Sequence, residues 1–294
     1  MIDVETARTF LAIATTGTFQ AAAKQVNVTQ STVSARIKTL EVRLGQKVFD
    51  RSKSGAALNH HGRQFERYAR AIVQAWEQGK RKVAEGKAFD SSLAIGGQPN
   101  LWTRFLSHWL LELQSALPET TFRAEASGPA ELLTRVSDGA LDVAVTHETS
   151  TFAGIDNLPL MKDELVLVTT DAYGEFEDRY VFLDWGDAFR AFHDRALPGI
   201  APVRVSAALG YFGVRYLLLA QGAGFVPRRL VEPHLEAGYL HCVADAPTFE
   251  YPVYLAMRSR SSNPAMKVAI SVLRDLAVVA ESGELPAPFW ARSD

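Results

Sequence analysis

Hydroxyl, amide and cationic side chains are concentrated in one short stretch near the start of the 294-residue chain. A Gln amide can donate to and accept from one adenine edge, and a Ser or Thr hydroxyl can take either role, while Lys and Arg neutralise phosphate. The stretch therefore has the chemistry needed to read duplex DNA. The residues predicted to contact DNA are Thr29, Gln30, Ser31, Thr32, Ser34, Arg36 and Lys38, followed by Arg51 and Lys53.

A small three-helix unit must hold these side chains. The apolar spacing predicts a first helix that ends at Gly17, a second capped by Thr18, and a third capped by Thr29. The third helix is expected to run from Gln30 to about Leu44, which places Gln30 where a recognition helix meets base edges. Its buried stripe is predicted to consist of Val33, Ile37, Leu40 and Leu44, so Ser31, Ser34 and Lys38 point outward.

Two short strands are predicted after Gly45 ends the third helix. Residues 48–49 and 56–58 can pair around Arg51 and Lys53, which makes a basic wing. An alternative interpretation is that the three helices form a docking or capping element with ordinary surface Ser and Lys residues. The basic side chains coincide with the predicted recognition helix and wing, and this coincidence favours DNA binding.

Charge divides the chain into two parts. Residues 1–88 contain 15 Lys or Arg and 7 Asp or Glu, whereas the remaining 206 residues contain 16 and 26. The basic part is expected to be the nucleic-acid part.

The length and the 47% hydrophobic content predict more than one domain. No apolar run approaches the roughly 20 residues of a membrane span, and the start lacks signal-peptide features, so we expect a cytoplasmic protein with no membrane partner.

A long helix is predicted from about His61 to Lys87, a stretch without proline. Its heptad seam consists of Phe65, Ala69, Ile72, Trp76, Gly79 and Val83. Such a seam can pack on the chain's own body or on a second copy, and we favour the second copy.

From Ser92 onward, short apolar strands alternate with helices, which predicts an α/β architecture. Strands are expected at 93–96, 122–126, 141–145, 165–168, 180–183, 203–205, 225–227 and 251–257, with later helices at about 211–220 and 265–281.

The segments 22–23, 29–34, 40–41, 44–45 and 48–51 together resemble the amino-terminal signature of LysR-type transcriptional regulators. The resemblance spans the whole chain. It implies an N-terminal winged helix-turn-helix at 1–59, a long linker and dimerisation helix at 60–90, and a two-lobed, periplasmic-binding-protein-like α/β regulatory domain at 91–294. Lobe I is expected at about 91–160 and 262–294, and lobe II at about 161–261. The segments around Ile95-Gly96, Asp184-Trp185-Gly186 and Gly222–Pro227 are similar to the HdfR-like subgroup.

The cleft between the lobes is expected to bind a small anionic effector. In open parallel sheets, ligands bind beyond the carboxyl ends of the strands. The predicted effector-binding residues are Gln98, Pro99, Asn100, Ser127, Thr146, His147, Asp184, Trp185 and Ser206. Near Asn100 a helix start favours an anion, His147 offers a proton-dependent charge, and Trp185 offers a flat apolar wall. The alternatives are that Trp185 is core, that His147 braces the hinge, and that Asn100 only caps its helix.

The resemblance implies double-stranded promoter or operator DNA, a small-molecule effector, further copies of this chain as a homodimer or homotetramer, and RNA polymerase as partners. No catalytic residue, metal site or cofactor is predicted, because the sequence has no nucleophile elbow, phosphate loop, dinucleotide fingerprint or metal-like His spacing. Two other functions stay open: an architectural DNA-binding protein without an effector, and a small-molecule enzyme with a fused DNA-binding head. The single Cys242 excludes an internal disulfide, and we interpret it as a small buried side chain.

Overall fold

The computed structural model describes residues 2–52, 55–84, 91–200, 204–208, 210–260 and 263–282. The chain divides into two compact units, one of Met1–Asp90 with Ser137–Ala140 and the other of Ser91–Val136 with Leu141–Asp294. The predicted DNA contact Lys53 and the predicted linker end at Lys87 lie outside the described residues. No described helix combines the length and the apolar character that a bilayer crossing requires.

Three helices build the head of the first unit: α1 (Val4–Thr16), α2 (Phe19–Gln25) and α3 (Gln30–Leu44). The predicted caps are confirmed, because the Thr18 and Thr29 side chains accept hydrogen bonds from backbone N–H groups of the first turns of α2 and α3. Gly45 ends α3 in the left-handed region, at φ +67°. The prediction for Leu44 is wrong, since it is 36% exposed. It lies one turn beyond Leu40, the last buried residue of α3.

The predicted wing is an antiparallel pair of β1 (Phe49–Ser52) and β2 (Gly55–Leu58), with Phe49 opposite Leu58. The Ala56 N–H donates to the Gly17 carbonyl at 2.7 Å, which ties the wing to the end of α1. Gly55 is required there, because its φ is +143° and a Cβ atom would lie 2.5 Å from the Gly17 oxygen.

In the long helix α4 (His60–Ala84), the first residues of the heptad seam pack against the core of the head. Phe65 and Ala69 are buried in the head core, and the Phe65 ring meets the Phe10 ring edge-on at 5.1 Å. Ile72 packs against the same core, whereas Trp76 is 51% exposed. The first part of the seam packs on the chain's own head, with α1 as its partner, which is the alternative left open above. Pairing of this helix with a second copy stays a prediction.

The second unit consists of two lobes. Lobe I has a five-stranded sheet. Its strands are β3 (Ser91–Gly97), β4 (Thr120–Ala126), β5 (Val143–Thr146), β6 (Ile155–Met161) and β13 (Val253–Arg258). They lie side by side in the order β4-β3-β5-β13-β6. β3 is parallel to β4 and β5, and β13 is antiparallel to β5 and β6. The expected extent of lobe II, to about residue 261, is wrong for β13, because its neighbours are lobe I strands.

Helices cover the lobe I sheet around a core that includes Phe105 and Trp109. The helix expected to start near Asn100 begins at Pro99: α5 (Pro99–Leu101) continues through a π-helical turn (Trp102–Leu106) into α6 (Ser107–Ala116). The others are α7 (Pro129–Ser137) and α11 (Ala265–Glu281), and α11 has the predicted bounds. Such π turns recur at functional sites, so this one draws attention to the start of the helix.

Lobe II is arranged around β7 (Glu164–Thr169), which pairs antiparallel with three strands. These are β10 (Ala223–Pro227), β11 (His241–Cys242) and β12 (Phe249–Glu250). β8 (Phe182–Leu183) pairs in parallel with β9 (Ser206–Ala207). The first residue of the strand predicted at 203–205 lies outside the described residues, and 204–205 precede β9. The helices are α8 (Asp187–Ala196), α9 (Tyr211–Ala220) and α10 (Arg228–Glu236), of which only α9 was predicted. Cys242 is exposed, so its interpretation as buried is wrong.

The chain crosses between the lobes twice, at residues 162–163 between β6 and β7 and at residues 251–252 between β12 and β13. Each lobe has its own apolar core, with Phe189 and Phe225 among the buried side chains of lobe II. The predicted two-lobed arrangement joined by crossing strands is confirmed. The two crossings bring lobe I and lobe II residues close together at the hinge.

Candidate functional site

The outward face of α3 has the polar character that the sequence predicts. Gln30, Ser31 and Lys38 are exposed, while Thr32 and Ser34 are half-buried. On the opposite side, Val33, Ile37 and Leu40 have no exposed surface. Packing against α1 and α2 therefore fixes which face of α3 is available to a partner.

Hydroxyl groups at the start of α3 bond to one another. The Thr29 Oγ1 atom lies 2.8 Å from the Ser31 hydroxyl and 2.9 Å from the Thr32 hydroxyl, and it accepts from the Thr32 N–H. Among the residues that the structure describes, no hydrogen-bond partner is found for the exposed Gln30 amide. Gln30 is therefore the side chain of this turn with its full capacity for a base edge.

Arg36 differs from the other predicted contacts because it points into the head. Its Nη1 atom donates to the Thr9 hydroxyl at 3.0 Å and lies 3.7 Å from a Glu5 carboxylate oxygen. Only 26% of the side chain is exposed. Its position makes Arg36 a link between α3 and α1.

On the wing, Arg51 is exposed and its guanidinium lies over the Phe19 ring, 4.3 Å from the centroid. This cation–π contact holds a positive charge beside the start of α2. Lys53, on the other side of the wing turn, is outside the described residues.

The lobe I candidates for effector binding gather at one sheet edge. The Gln98 N–H donates to Val145 O at 3.2 Å, and the Ser127 N–H donates to Gly97 O at 3.3 Å. Pro99 occupies the first helical position of α5, and Gln98 precedes it without a side-chain cap. Asn100 is buried inside the first turn, so the alternative that it only caps its helix is not what the structure shows.

His147 is the centre of a buried network. Its Nδ1–H donates to Tyr251 O at 3.0 Å, and its Nε2 accepts from Asn100 Nδ2 at 2.9 Å. The His147 N–H also donates to Gln98 Oε1 at 2.6 Å. We infer this tautomer because a carbonyl oxygen only accepts. The network joins lobe I to the strand crossing at Tyr251, which supports the hinge-bracing alternative.

Burial, and after it the nearby positive charge of Arg229, lowers the pKa of His147 to about 3. The imidazole is neutral over the physiological range. A buried neutral imidazole favours the alternative that His147 braces the hinge, and its role as a proton-dependent charge for an effector stays a prediction.

The remaining lobe I candidates have local partners. Thr146 is the last residue of β5, and its buried hydroxyl donates to Glu148 O at 2.6 Å. The Ser127 hydroxyl donates to the Glu131 carboxylate at the start of α7. These contacts shape the loops after β4 and β5, beside the Gln98–Asn100 segment.

The lobe II candidates are not all at the cleft. Trp185 is 9% exposed, its Nε1–H donates to Phe225 O at 2.8 Å, and its ring meets the Tyr251 ring at 5.9 Å. It belongs to the lobe II core, as the alternative held. The Asp184 carboxylate bonds to Arg190, which holds the pKa of Asp184 below its usual value. Ser206 is exposed and lies within β9 rather than after it.

Tyr251 was missed by the sequence analysis and connects the candidates of the two lobes. Its ring stacks on His147 with centroids 3.6 Å apart and meets Trp185 on another side. It stands at a strand crossing, and a single sequence carries no local signal of that position.

Two buried arginines were also missed. Arg229 pairs with Asp163 through Nε at 3.1 Å, and its Nη1 lies 3.4 Å from Asn100 O. Arg104, in the π turn, donates to Arg229 O at 2.8 Å and lies 3.5 Å from Glu232. The rule that selected residues just after strands would have found Arg229, because it follows β10.

No metal chemistry is indicated by the described part of the chain, where no group of three or more His, Cys, Asp or Glu residues could hold an ion. The site presents amide, imidazole and aromatic groups at the edge of lobe I, with buried guanidinium groups beside them.

Comparison with known proteins gives matches over both units. A family model described as "Bacterial regulatory helix-turn-helix protein, lysR family" matches residues 4–63, and one described as "LysR substrate binding domain" matches residues 87–277. The HTH-type transcriptional regulator HdfR of Salmonella schwarzengrund is 29% identical over 258 residues, which cover 86% of this chain and 91% of HdfR.

Solved structures share the fold over nearly the whole chain. Full-length LysG from Corynebacterium glutamicum with bound effector Arg has a TM-score of 0.60 at 19% identity, covering 94% of this chain and 98% of LysG. Full-length CbnR complexed with its target DNA has a TM-score of 0.61 at 19% identity, covering 94% of this chain and 100% of CbnR. The predicted fold class is confirmed.

Proposed function

The chain belongs to the LysR family of bacterial regulatory helix-turn-helix proteins, and from that premise we propose that it regulates transcription by binding operator DNA sequence-specifically. The observation that carries the proposal is α3, whose apolar side is fully buried while Gln30, Ser31 and Lys38 are exposed. A helix with amide, hydroxyl and amine groups on its free face is suited to the major groove, where such groups distinguish base pairs.

Self-association accompanies this function. On α4, Trp76 is 51% exposed, although the next residue, Glu77, pairs with Arg8 of α1. A homodimer or homotetramer with two heads related by a twofold axis would bind a palindromic operator. The relative CbnR has been solved on its target DNA, which is consistent with this mode. The protein would act in the cytoplasm, where bacterial DNA lies, with RNA polymerase as a further partner.

A small anionic effector would bind where α5 begins. The first backbone N–H groups of the helix and the positive end of its dipole favour an anion. The guanidinium of Arg229 lies beside Asn100 and adds positive charge near the same segment. Gln98 contributes an amide, and Tyr251 and His147 contribute neutral polar and aromatic surface. An effector controls DNA binding only by binding one arrangement of the lobes more tightly than another.

The DNA-binding proposal is tested by variants on both parts of the head. Genomic fragments retained by the full chain would define the operator, and binding would then be measured on matched and mismatched operators at several salt concentrations. Gln30→Ala is expected to lose discrimination at one position, worth about 1–3 kcal/mol. Arg51→Ala is expected to weaken binding to every duplex and to reduce the salt slope by about one phosphate contact.

Gln46→Ala is a matched control for Gln30→Ala. Gln46 is exposed and follows the carboxyl end of α3, roughly 22 Å from Gln30 along a helix of this length. It is expected to bind all operators like the unchanged protein. An equal loss on matched and mismatched operators for Gln30→Ala would refute its base-reading role.

The effector proposal is tested by thermal unfolding of the full chain with a panel of small organic acids. A ligand at 100 times its dissociation constant stabilises by about 2.7 kcal/mol, which is readily detected. Gln98→Ala should reduce that stabilisation. If no acid stabilises the protein, an architectural role is favoured instead. We also propose that the chain is not an enzyme, and turnover of any panel compound by purified protein would contradict this.

A further inference from the structure

A cavity of about 590 Å³ lies at the hinge of the α/β unit. Its walls are the first crossing at Met161–Glu164, the start of α10, the second crossing near Pro252, and the end of α11. We call it the hinge pocket. None of the nine residues predicted to bind the effector lines it, although Arg229, which lies beside Asn100, does. Its volume is within the range of small-molecule sites, roughly 300–1,000 Å³.

The hinge pocket has an apolar part. Met161 is 5% exposed, and the half-buried Pro252, Tyr254 and Ala280 lie around it. These four side chains offer aliphatic and aromatic surface to the body of a ligand. Charged groups occupy the rest of the wall, so the lining suits a molecule with one apolar portion and one charged portion.

Two acidic and two basic side chains of the pocket wall already form ion pairs with each other. Arg228 pairs with Glu164, and Arg229 pairs with the buried Asp163. The Glu232 carboxylate lies 3.5 Å from Arg104. The other charged lining groups are Lys162, Glu250 and Glu281. Glu250 and Glu281 are both exposed, and within the described ranges no cation lies within ion-pair distance of either. The wall as a whole has five acidic and three basic side chains, so the pocket has an excess of negative charge.

Both of these carboxylates stand in electrostatically unfavourable places. Glu250 is directly opposite Glu164 across the antiparallel β12 and β7 pair, where like charges destabilise a sheet, and Arg228 offsets part of this repulsion by pairing with Glu164. Glu281 ends α11, where the helix dipole disfavours a negative group, although its Oε1 accepts from the Lys162 N–H at 2.6 Å. Groups that break local rules for stability at the wall of a cavity indicate a functional site.

We propose that the hinge pocket binds an organic cation, a molecule with an amine or guanidinium group and an apolar chain. The cationic group would pair with Glu250 and Glu281, and the chain would pack on Met161, Pro252 and Tyr254. An inorganic cation fits less well, because the described acidic residues do not form a metal-holding group. The ligand would contact both lobes and both crossings, so it would favour one arrangement of the lobes. The binding itself does not depend on the proposed effector or on DNA.

Isothermal titration calorimetry on the full chain tests the proposal, with 1,5-diaminopentane and agmatine as probes. 1,5-Pentanediol and glutarate match the diamine in length but are neutral and anionic. We expect both amines to bind and both matched compounds to fail. Glu250→Gln and Glu281→Gln should each weaken amine binding by about tenfold, the usual effect of losing one bond to a charged group.

Glu112→Gln is the matched control, because Glu112 is exposed on α6 and does not line the pocket. It should leave amine binding unchanged. Equal binding of the diol and the diamine, no amine binding at millimolar concentration, or unchanged binding in both pocket variants would overturn the proposal. Magnesium chloride in place of the amine should give no heat that the pocket variants remove, and such a heat would identify a metal site instead. Amine binding is measured without DNA, so any effect of Gln30→Ala on DNA binding would leave these results unchanged. The amine proposal and the DNA-binding proposal can therefore be refuted independently.

Discussion

Acid should destabilise the α/β unit through His147. The structure holds its neutral form, which donates from Nδ1 to Tyr251 O and accepts from Asn100, and burial lowers its pKa from 6.5 to about 3. In the unfolded chain the ordinary value applies, so the unfolded state binds more protons between these two values. The contribution of His147 is therefore fully favourable above pH 6.5 and is lost as the pH falls towards 3.

The magnitude at pH 5 follows from the linkage relation. Between pH 7.5 and pH 5, protonation of the unfolded imidazole lowers the free energy of unfolding by about 2 kcal/mol. Because pH 5 lies well above the folded pKa of about 3, the loss is set mainly by the unfolded value. A change of one unit in the folded value would alter the result by less than about 0.1 kcal/mol.

Urea unfolding of the full chain at pH 7.5 and pH 5 measures this loss. Trp102, Trp109 and Trp185 lie in the α/β unit, so tryptophan fluorescence reports on its unfolding. The comparison is between the unchanged protein and His147→Gln, whose side chain cannot be protonated but keeps an acceptor for Asn100. All other titrating groups are common to both proteins and cancel. The variant is expected to lose about 2 kcal/mol less than the unchanged protein.

His61→Gln is the control, since His61 is exposed on α4 and should leave the pH-dependent loss as it is. If His147→Gln lost as much stability as the unchanged protein between the two pH values, His147 would not be a buried neutral group. That result would also favour a proton-dependent charge as a feature of the cleft.

Three further substitutions have expected outcomes that urea unfolding can check. Arg36→Ala should lower the free energy of unfolding of the head by about 1 kcal/mol, because it removes the bond to Thr9, and a change only in DNA affinity would contradict this. Gly97→Ala should destabilise lobe I by about 2 kcal/mol, because its Cβ atom would lie 2.1 Å from Leu106 Cδ1. An unchanged urea midpoint would show that the helix containing Leu106 shifts at no cost. Glu250→Gln should stabilise lobe II by about 0.5 kcal/mol through relief of a like-charge pair, and a loss would assign it a structural role.

The head was predictable because its signals are local. Thr29 caps the start of α3 and Gly45 caps its end, each through contacts with residues fewer than four positions away. Contacts over so short a distance can be predicted from the sequence. What the sequence missed in the same unit is tertiary. Leu44 has the right spacing for the stripe but no neighbour to bury it, and Phe65 fits a heptad seam but finds a partner in Phe10 of α1.

The cleft was predictable only in part, because its geometry depends on chain crossings. Gln98, Asn100 and His147 were found from the rule that ligands lie beyond strand ends, and the structure does bring them together. Tyr251 lies 104 residues after His147 yet bonds to its imidazole, and spacing along the chain cannot show such a contact. The sequence also could not show that Trp185, although it follows a strand, turns into the lobe II core.

The buried ion pair at the hinge explains how the lobes are held in the arrangement described. Arg229 and Asp163 expose only 7% and 4% of their side chains, and a pair this deeply buried adds little net stability because its desolvation is costly. Its value lies in position. Arg229 lies 3.4 Å from Asn100 O, and its own carbonyl accepts from Arg104, so the start of α10 is fixed to the start of the lobe I helix. Asn100 bonds to His147 on its other side. A ligand at the start of α5 would therefore contact the residue that holds α10, and contiguous contacts of this kind transmit binding only if they have two alternative arrangements.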